Sequence, residues 1–188
     1  MIEIIDLCKA FDGKVVLEHF DLQLEDGQRY ALMGTSGSGK TTLLNLIMGL
    51  IQPDSGHIIA PQGLKISAVF QENRLIEGMT PAANIRLVAA VDNERIHQVL
   101  LALGIEEDSL NQPVSTYSGG MKRRVAIARA LLSDYNLLLL DEPYKGLDEE
   151  TRQQVIAVVE EMSREKTVLM VTHNPEDVRG HQLIEFAE

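Results

Sequence analysis

Gly34-Thr35-Ser36-Gly37-Ser38-Gly39-Lys40-Thr41 is the stretch that decides how this chain folds. It fills every fixed position of the pattern G-x-x-x-x-G-K-[ST], a loop that wraps a phosphate. Glycines 34, 37 and 39 let the backbone approach an anion closely and turn several N–H groups toward it. The apolar run Arg29 to Met33 reads as a short buried strand entering the loop. Lys40 to Leu50 has the apolar density of a packed helix leaving it. The loop therefore opens a helix, whose positive end adds to the attraction for phosphate. In such a loop the lysine reaches the terminal phosphates and the hydroxyl of Thr41 ligates Mg²⁺, with Thr35, Ser36, Ser38 and Thr42 completing the cradle. A random chain of this length matches the pattern about once in a hundred or less often. Nucleotide binding follows.

Outward from the loop, the chain alternates strands and helices. Ile2 to Leu7 and Val15 to Leu24 read as strands joined through the Asp12-Gly13 turn, and strand-like pieces recur at His57 to Ala60 and Lys65 to Phe70. Pro81 is placed to begin a helix over Ala82 to Val91, and Glu94 to Leu103 has helical spacing closed by Gly104. A helix follows Ser118, then a strand at Asn136 to Leu140, a helix from Glu149 to about Arg164, a strand at Thr167 to Val171 and an edge strand at Gln182 to Phe186. Alternation of this kind predicts an α/β fold with a mostly parallel, helix-covered sheet. The two opening strands predict an antiparallel side sheet. The reading is one domain over 1–188, with a core of about 1–71 and 118–188. A small helical subdomain of about 72–117, joined by the helix after Ser118, is inserted into that core.

Leu137-Leu138-Leu139-Leu140-Asp141 is a buried strand ending in a carboxylate. At the carboxyl edge of a parallel sheet Asp141 stands beside the phosphate loop and holds the magnesium ion. Glu142, one residue on, is the candidate general base that polarises an attacking water.

With these motifs and with Ser118-Gly119-Gly120 opening a basic helix, the chain resembles the nucleotide-binding subunit of an ATP-binding cassette (ABC) transporter. The resemblance covers nearly the whole chain and implies a P-loop NTPase, RecA-like core. It implies that Gln71 contacts Mg²⁺ or the attacking water, and that Ser118, Gly119 and Gly120 bind the γ-phosphate held by an opposite subunit. It also implies that Gly146-Leu147-Asp148 cross the dimer interface, that His173 contacts the γ-phosphate and supports Glu142, and that Phe11 stacks on adenine. Taken singly, Gln71 could cap a strand, His173 could be a surface histidine and Phe11 could fill a core. Read together, Glu142, His173, Gln71 and Lys40 are the catalytic candidates and Thr41, Gln71 and Asp141 the metal ligands, with ATP and Mg²⁺ as cofactors.

The resemblance implies ATP-driven head-to-tail closure of two cassettes, a permease docking near Gln71 to Thr80, and a substrate-binding protein as a further partner. It places the chain at the cytoplasmic face of the cell membrane. Gln71-Glu72-Asn73-Arg74-Leu75-Ile76 with Met79-Thr80-Pro81 looks most like importers of the nitrate, sulfonate and taurine group. Two departures stand out. Met121 replaces the family's usual glutamine after Gly120, and Lys145-Gly146 replaces a small Ser-Ala pair, so slow basal hydrolysis is expected. A shortened stretch after His173, with no regulatory extension, is also expected. The alternatives are a soluble ABC ATPase acting on nucleic acid or ribosomes, and a regulatory low-activity cassette in a heterodimer.

Composition narrows these. Hydrophobic residues make up 45% of the 188, ample for a core. A single cysteine, Cys8, rules out an internal disulfide framework and fits a reducing compartment. No apolar run approaches the roughly 18–20 residues that span a bilayer, so a membrane role is borrowed from a partner. The acidic start, Met1-Ile2-Glu3, argues against a secretory signal. A net charge of −11 opposes a nucleic-acid surface, and no nucleic-acid partner is expected.

Overall fold

The computed structural model of the protein describes residues 1–186; residues 187 and 188, the end of the expected domain, lie outside it. Two compact units divide the chain. The first comprises Met1–Ile66, Asn136–Asp141 and the segment from Glu165 onward, and the second Ser67–Tyr135 and Glu142–Arg164.

The first unit carries two sheets. β1 (Ile2–Phe11) pairs antiparallel with β2 (Lys14–Leu24) on one side and with β4 (Ser55–Ile59) on the other. Asp12 and Gly13 both have positive φ, the requirement of the two-residue turn that joins β1 to β2. β1 runs further than the sequence suggests because bulges absorb its irregular middle. Asp6 and His19 take positive φ on neighbouring strands, and His19 Nδ1 bonds Asp6 Oδ1 at 2.5 Å across the gap.

The second sheet is parallel. β6 (Leu137–Asp141) pairs with β7 (Thr167–Val171), β7 with β3 (Arg29–Met33), and β3 with β8 (Gln182–Glu185). β5 (Ile66–Val69) starts at the outer side of β6, where the Lys65 carbonyl accepts the N–H groups of Asn136 and Leu137. Leu137 to Leu140 are buried on both faces, as a helix-covered parallel strand requires. α1 (Lys40–Ile47) leaves the phosphate loop and ends earlier than its apolar run. Gly49 turns left-handed there, and the Leu50 N–H returns to the Asn45 carbonyl.

The second unit is mainly helical, with α4 (Gly119–Leu132) packed against α2 (Pro81–Arg86), α3 (Asn93–Ala102) and α5 (Glu149–Met162). Each helix has a side-chain cap: Thr80 for α2, Asp92 for α3, Ser118 for α4 and Asp148 for α5. α2 stops at Arg86 instead of running to Val91. The chain must turn so that Asp92 can adopt an extended conformation and accept the Arg95 N–H at 2.8 Å. Arg124 donates to the Leu103 and Gly104 carbonyls and Gln154 to the Ala102 carbonyl, so α4 and α5 satisfy the open end of α3.

Candidate functional site

Strand β3 delivers the chain to the phosphate loop, and two glycines set its shape. Gly37 and Gly39 have φ of +85° and +103°, a region L side chains rarely adopt. A Cβ on Gly39 would lie 2.8 Å from Val16 Cγ1 and 2.9 Å from the Val16 carbonyl oxygen, so β2 and the loop can approach only over a bare backbone. Gly34 is equally close to Phe186, whose N–H bonds the Met33 carbonyl and whose ring stacks on Phe20 at 4.9 Å. Thr35, Ser36 and Gly37 form the exposed tip, and Ser38 is half-buried. Lys40 is buried to 5% exposure, and its ammonium donates to the Gly34 carbonyl (2.9 Å), the Thr35 carbonyl (2.7 Å) and Ser38 Oγ (3.1 Å). The charge is thereby fixed within the loop's mouth. No side chain caps the N-terminus of α1 and no acid lies in its first turn, so the helix presents bare N–H groups and an uncompensated positive end.

The carboxyl edge of the parallel sheet brings further candidates to this loop. Asp141 ends β6, is buried, and accepts the Thr41 hydroxyl on Oδ2 at 2.8 Å. A hydroxyl and a carboxylate meeting in this way are the hard oxygen donors Mg²⁺ selects, and Mg²⁺ takes few of them because substrate phosphates and water complete its shell. In register, Asp141 faces Val171 and Val171 faces Leu32, so His173, two residues past β7, stands at the same edge. Its turn is held by buried Thr172, which donates to Asp177 at 2.6 Å and accepts the Asn174 N–H.

Phe11 ends β1 with its ring 45% exposed. The ammonium of Lys9 lies 5.3 Å from the ring centroid and is anchored by Asp54, which also accepts the Ala10 N–H. The hydrogen bond from Lys9, then that from Ala10, hold the Asp54 carboxyl below its ordinary range.

The remaining candidates belong to the second unit. Gln71 is exposed, and its backbone is gripped from the helix that Ser118 begins. Buried Arg123 donates to the carbonyls of Phe70 and Gln71, and Arg129 to those of Asn73 (3.1 Å) and Arg74 (2.6 Å). Burial, then the charge of Arg74, push the Arg129 pKa down from its ordinary value. Ser118 Oγ accepts the Met121 N–H at 3.2 Å and keeps its hydroxyl proton for donation. The exposed Gly119 meets nothing where a Cβ would stand, whereas Gly120 faces Leu147. Glu142 is left-handed at φ +47°, and its carboxylate pairs with Lys145 at 2.6 Å. The arginine grip and the Lys145 pair are features the sequence reading missed. The charged run Lys122-Arg123-Arg124 is visible, but its acceptors are main-chain carbonyls distant in sequence.

Together, the loop, the sheet and the helical unit define a nucleotide-binding cassette built on a phosphate loop. A model of the family described as ABC transporter matches residues 17–145. The chain is 39% identical to the thiamine import ATP-binding protein ThiQ of Haemophilus influenzae, over 86% of this chain and 83% of that protein. It is 34% identical to the spermidine/putrescine import ATP-binding protein PotA of Fusobacterium nucleatum, over 94% of this chain and 51% of that one. Among solved structures, the dimeric post-hydrolysis state of the ATP-binding cassette MJ0796 bound to ADP and Pi superposes with a TM-score of 0.88 at 28% identity. That match covers 98% of this chain and 94% of that one. The chain belongs to the ABC transporter family. It is an ATPase, the ATP-binding and ATP-hydrolysing subunit of a multi-component membrane transporter, working with ATP and Mg²⁺.

Proposed function

We propose that this chain powers an importer, acting over 1–188 as one of two cassettes that close head to tail on ATP. Import is the direction named for both relatives. The observation that carries the catalytic assignment is the 2.8 Å bond between Thr41 and Asp141 beside the Lys40-filled loop. Thr41 and Asp141 would hold Mg²⁺, which neutralises phosphate charge and stabilises it as the bond to the γ-phosphorus changes. The loop N–H groups and Lys40 hold the β- and γ-phosphates, and Phe11 offers its ring to adenine. Glu142 polarises a water whose oxygen bonds the γ-phosphorus. The bond to the bridging oxygen breaks, ADP leaves with the electron pair, and the water's proton passes through Glu142 to solvent. Gln71, His173 and Ser118 to Gly120 keep the roles their motifs imply, the last three against the γ-phosphate of a partner cassette.

No helix among the described residues is long and apolar enough to cross a membrane. Attachment to the cytoplasmic face therefore runs through a permease received near Gln71 to Thr80, with a substrate-binding protein delivering cargo. The relatives named for thiamine and spermidine/putrescine import, and the nitrate, sulfonate and taurine group that this segment resembles, are all importers of small solutes. The net charge of −11 supports no nucleic-acid role. Purification of the tagged chain from gently solubilised membranes tests the assignment. A multi-span membrane protein in stoichiometric amount is expected, and recovery with soluble proteins or nucleic acid alone would overturn the transport role.

A further inference from the structure

Lys145 stands three residues after Glu142 and its ammonium lies 2.6 Å from Glu142 Oε2. The same turn is closed by the Lys145 N–H, which donates to the Glu142 carbonyl at 3.3 Å. The pair is therefore local, formed within a single turn of chain. Its partners differ in freedom: the Glu142 side chain is 12% exposed and that of Lys145 63%. Glu142 also sits at φ +47°, where few L-residues are found, so the backbone confines the direction of its carboxylate. At the position where the family commonly carries a small residue, this chain places a cation on the candidate base.

We propose that Lys145 is a positioning residue that latches the Glu142 carboxylate and holds hydrolysis at a low resting rate. The proposal rests on the reading of Glu142 as the group that polarises the attacking water. One carboxylate oxygen is committed to an ammonium, and the charge that would orient water is partly neutralised. Water must then compete with a charge-assisted bond for its acceptor. Because the ammonium is mostly exposed, solvent screens the pair and Lys145 can swing away at small cost. The latch is correspondingly gentle. It lowers the rate by about three- to fivefold, at most about 1 kcal/mol in barrier.

Steady-state ATPase of the full chain with Mg²⁺-ATP tests this, comparing wild type with Lys145→Ala, Lys145→Met, Lys145→Arg and Glu142→Gln. Lys145→Ala and Lys145→Met are expected to raise kcat about three- to fivefold with KM for ATP unchanged. The methionine variant retains the aliphatic stem, so lost packing is separated from lost charge. Lys145→Arg restores the ion pair and should return the wild-type rate, which a merely structural role for the stem would not require. A kcat no higher than wild type in both uncharged variants overturns the latch. So does a change confined to KM, which would make Lys145 a nucleotide contact. Glu142→Gln separates the two claims. If it turns over at the wild-type rate, the reading of Glu142 fails; if it is inactive while Lys145→Ala is no faster, only the latch fails.

Discussion

At the scale of single residues, the phosphate loop concentrates its chemistry in one buried cation. Lys40 reaches three acceptors inside its own loop, which fix the direction of its ammonium. Preorganised charge of this kind acts most strongly where charge develops in the transition state. Lys40→Ala should therefore lower ATP turnover by about a hundredfold or more while leaving the fold intact. Turnover measured beside a thermal melt checks both halves of that statement. The lysine, the glycines and Asp141 were legible in the sequence because each occupies a fixed place in a pattern whose geometry is set by phosphate. Lys145 was visible only as a departure. Its bond to Glu142 accompanies the turn that Glu142 makes at positive φ, and a glutamate, unlike an aspartate, gives no warning of that conformation.

At the scale of elements, the strands and long helices follow from apolar periodicity and from caps that any reader can find, such as Asp148 before α5. What the sequence leaves unread lies where a tertiary partner decides the local structure. The loop between Gln71 and α2 is one case. Asn84, fully buried in α2, accepts the Ile76 N–H at 2.8 Å and donates to the carbonyls of Ile76 and Thr80 at 3.2 Å each. Asn84→Ala would remove the acceptor of the Ile76 N–H and leave the Ile76 and Thr80 carbonyls only the N–H groups of Met79 and residue 84, at a cost of about 1–3 kcal/mol. Equilibrium denaturation measures that loss, and a cost below about 1 kcal/mol would mean water replaces the side chain. The paired bulges of β1 and β2 are another case, because the two residues at positive φ, Asp6 and His19, bond each other across the strands. The hydrogen bond to Asp6, and then its charge, raise the pKa of His19 above its ordinary 6.5. A raised pKa contributes stability that is present below the ordinary value and is lost as pH rises through the folded-state value. His19→Gln should accordingly lower the melting temperature at mildly acidic pH and change it little at mildly alkaline pH. An equal drop at both would assign the bulge to packing and not to charge.

At the scale of the whole molecule, one cassette holds both a phosphate loop and a helix whose Ser118 hydroxyl still has a proton to donate. The sequence made both ends legible because each motif is contiguous. The contacts that order the second unit were not, since Arg124 and Gln154 act through main-chain carbonyls of α3 that no side-chain pattern marks. In the closure proposed above, Ser118 of one cassette meets the phosphate held by a second, so on that reading two cassettes, identical or not, act together. Each copy carries a net charge of −11, and like charges oppose association until salt screens them within about 10 Å at 0.1 M. If two such copies close on ATP as proposed, ATP supplies enough new contact to overcome that repulsion, and hydrolysis removes that contact. Blocking the proton acceptor should therefore trap the pair. Glu142→Gln with Mg²⁺-ATP is expected to elute as a dimer in size-exclusion chromatography with light scattering, more completely as salt is raised. Adding Ser118→Ala should return it to monomer while the free energy of unfolding falls by only about 1 kcal/mol, that of a lost helix cap. A dimer that survives Ser118→Ala would mean the signature serine is not the contact that ATP uses to hold two cassettes together.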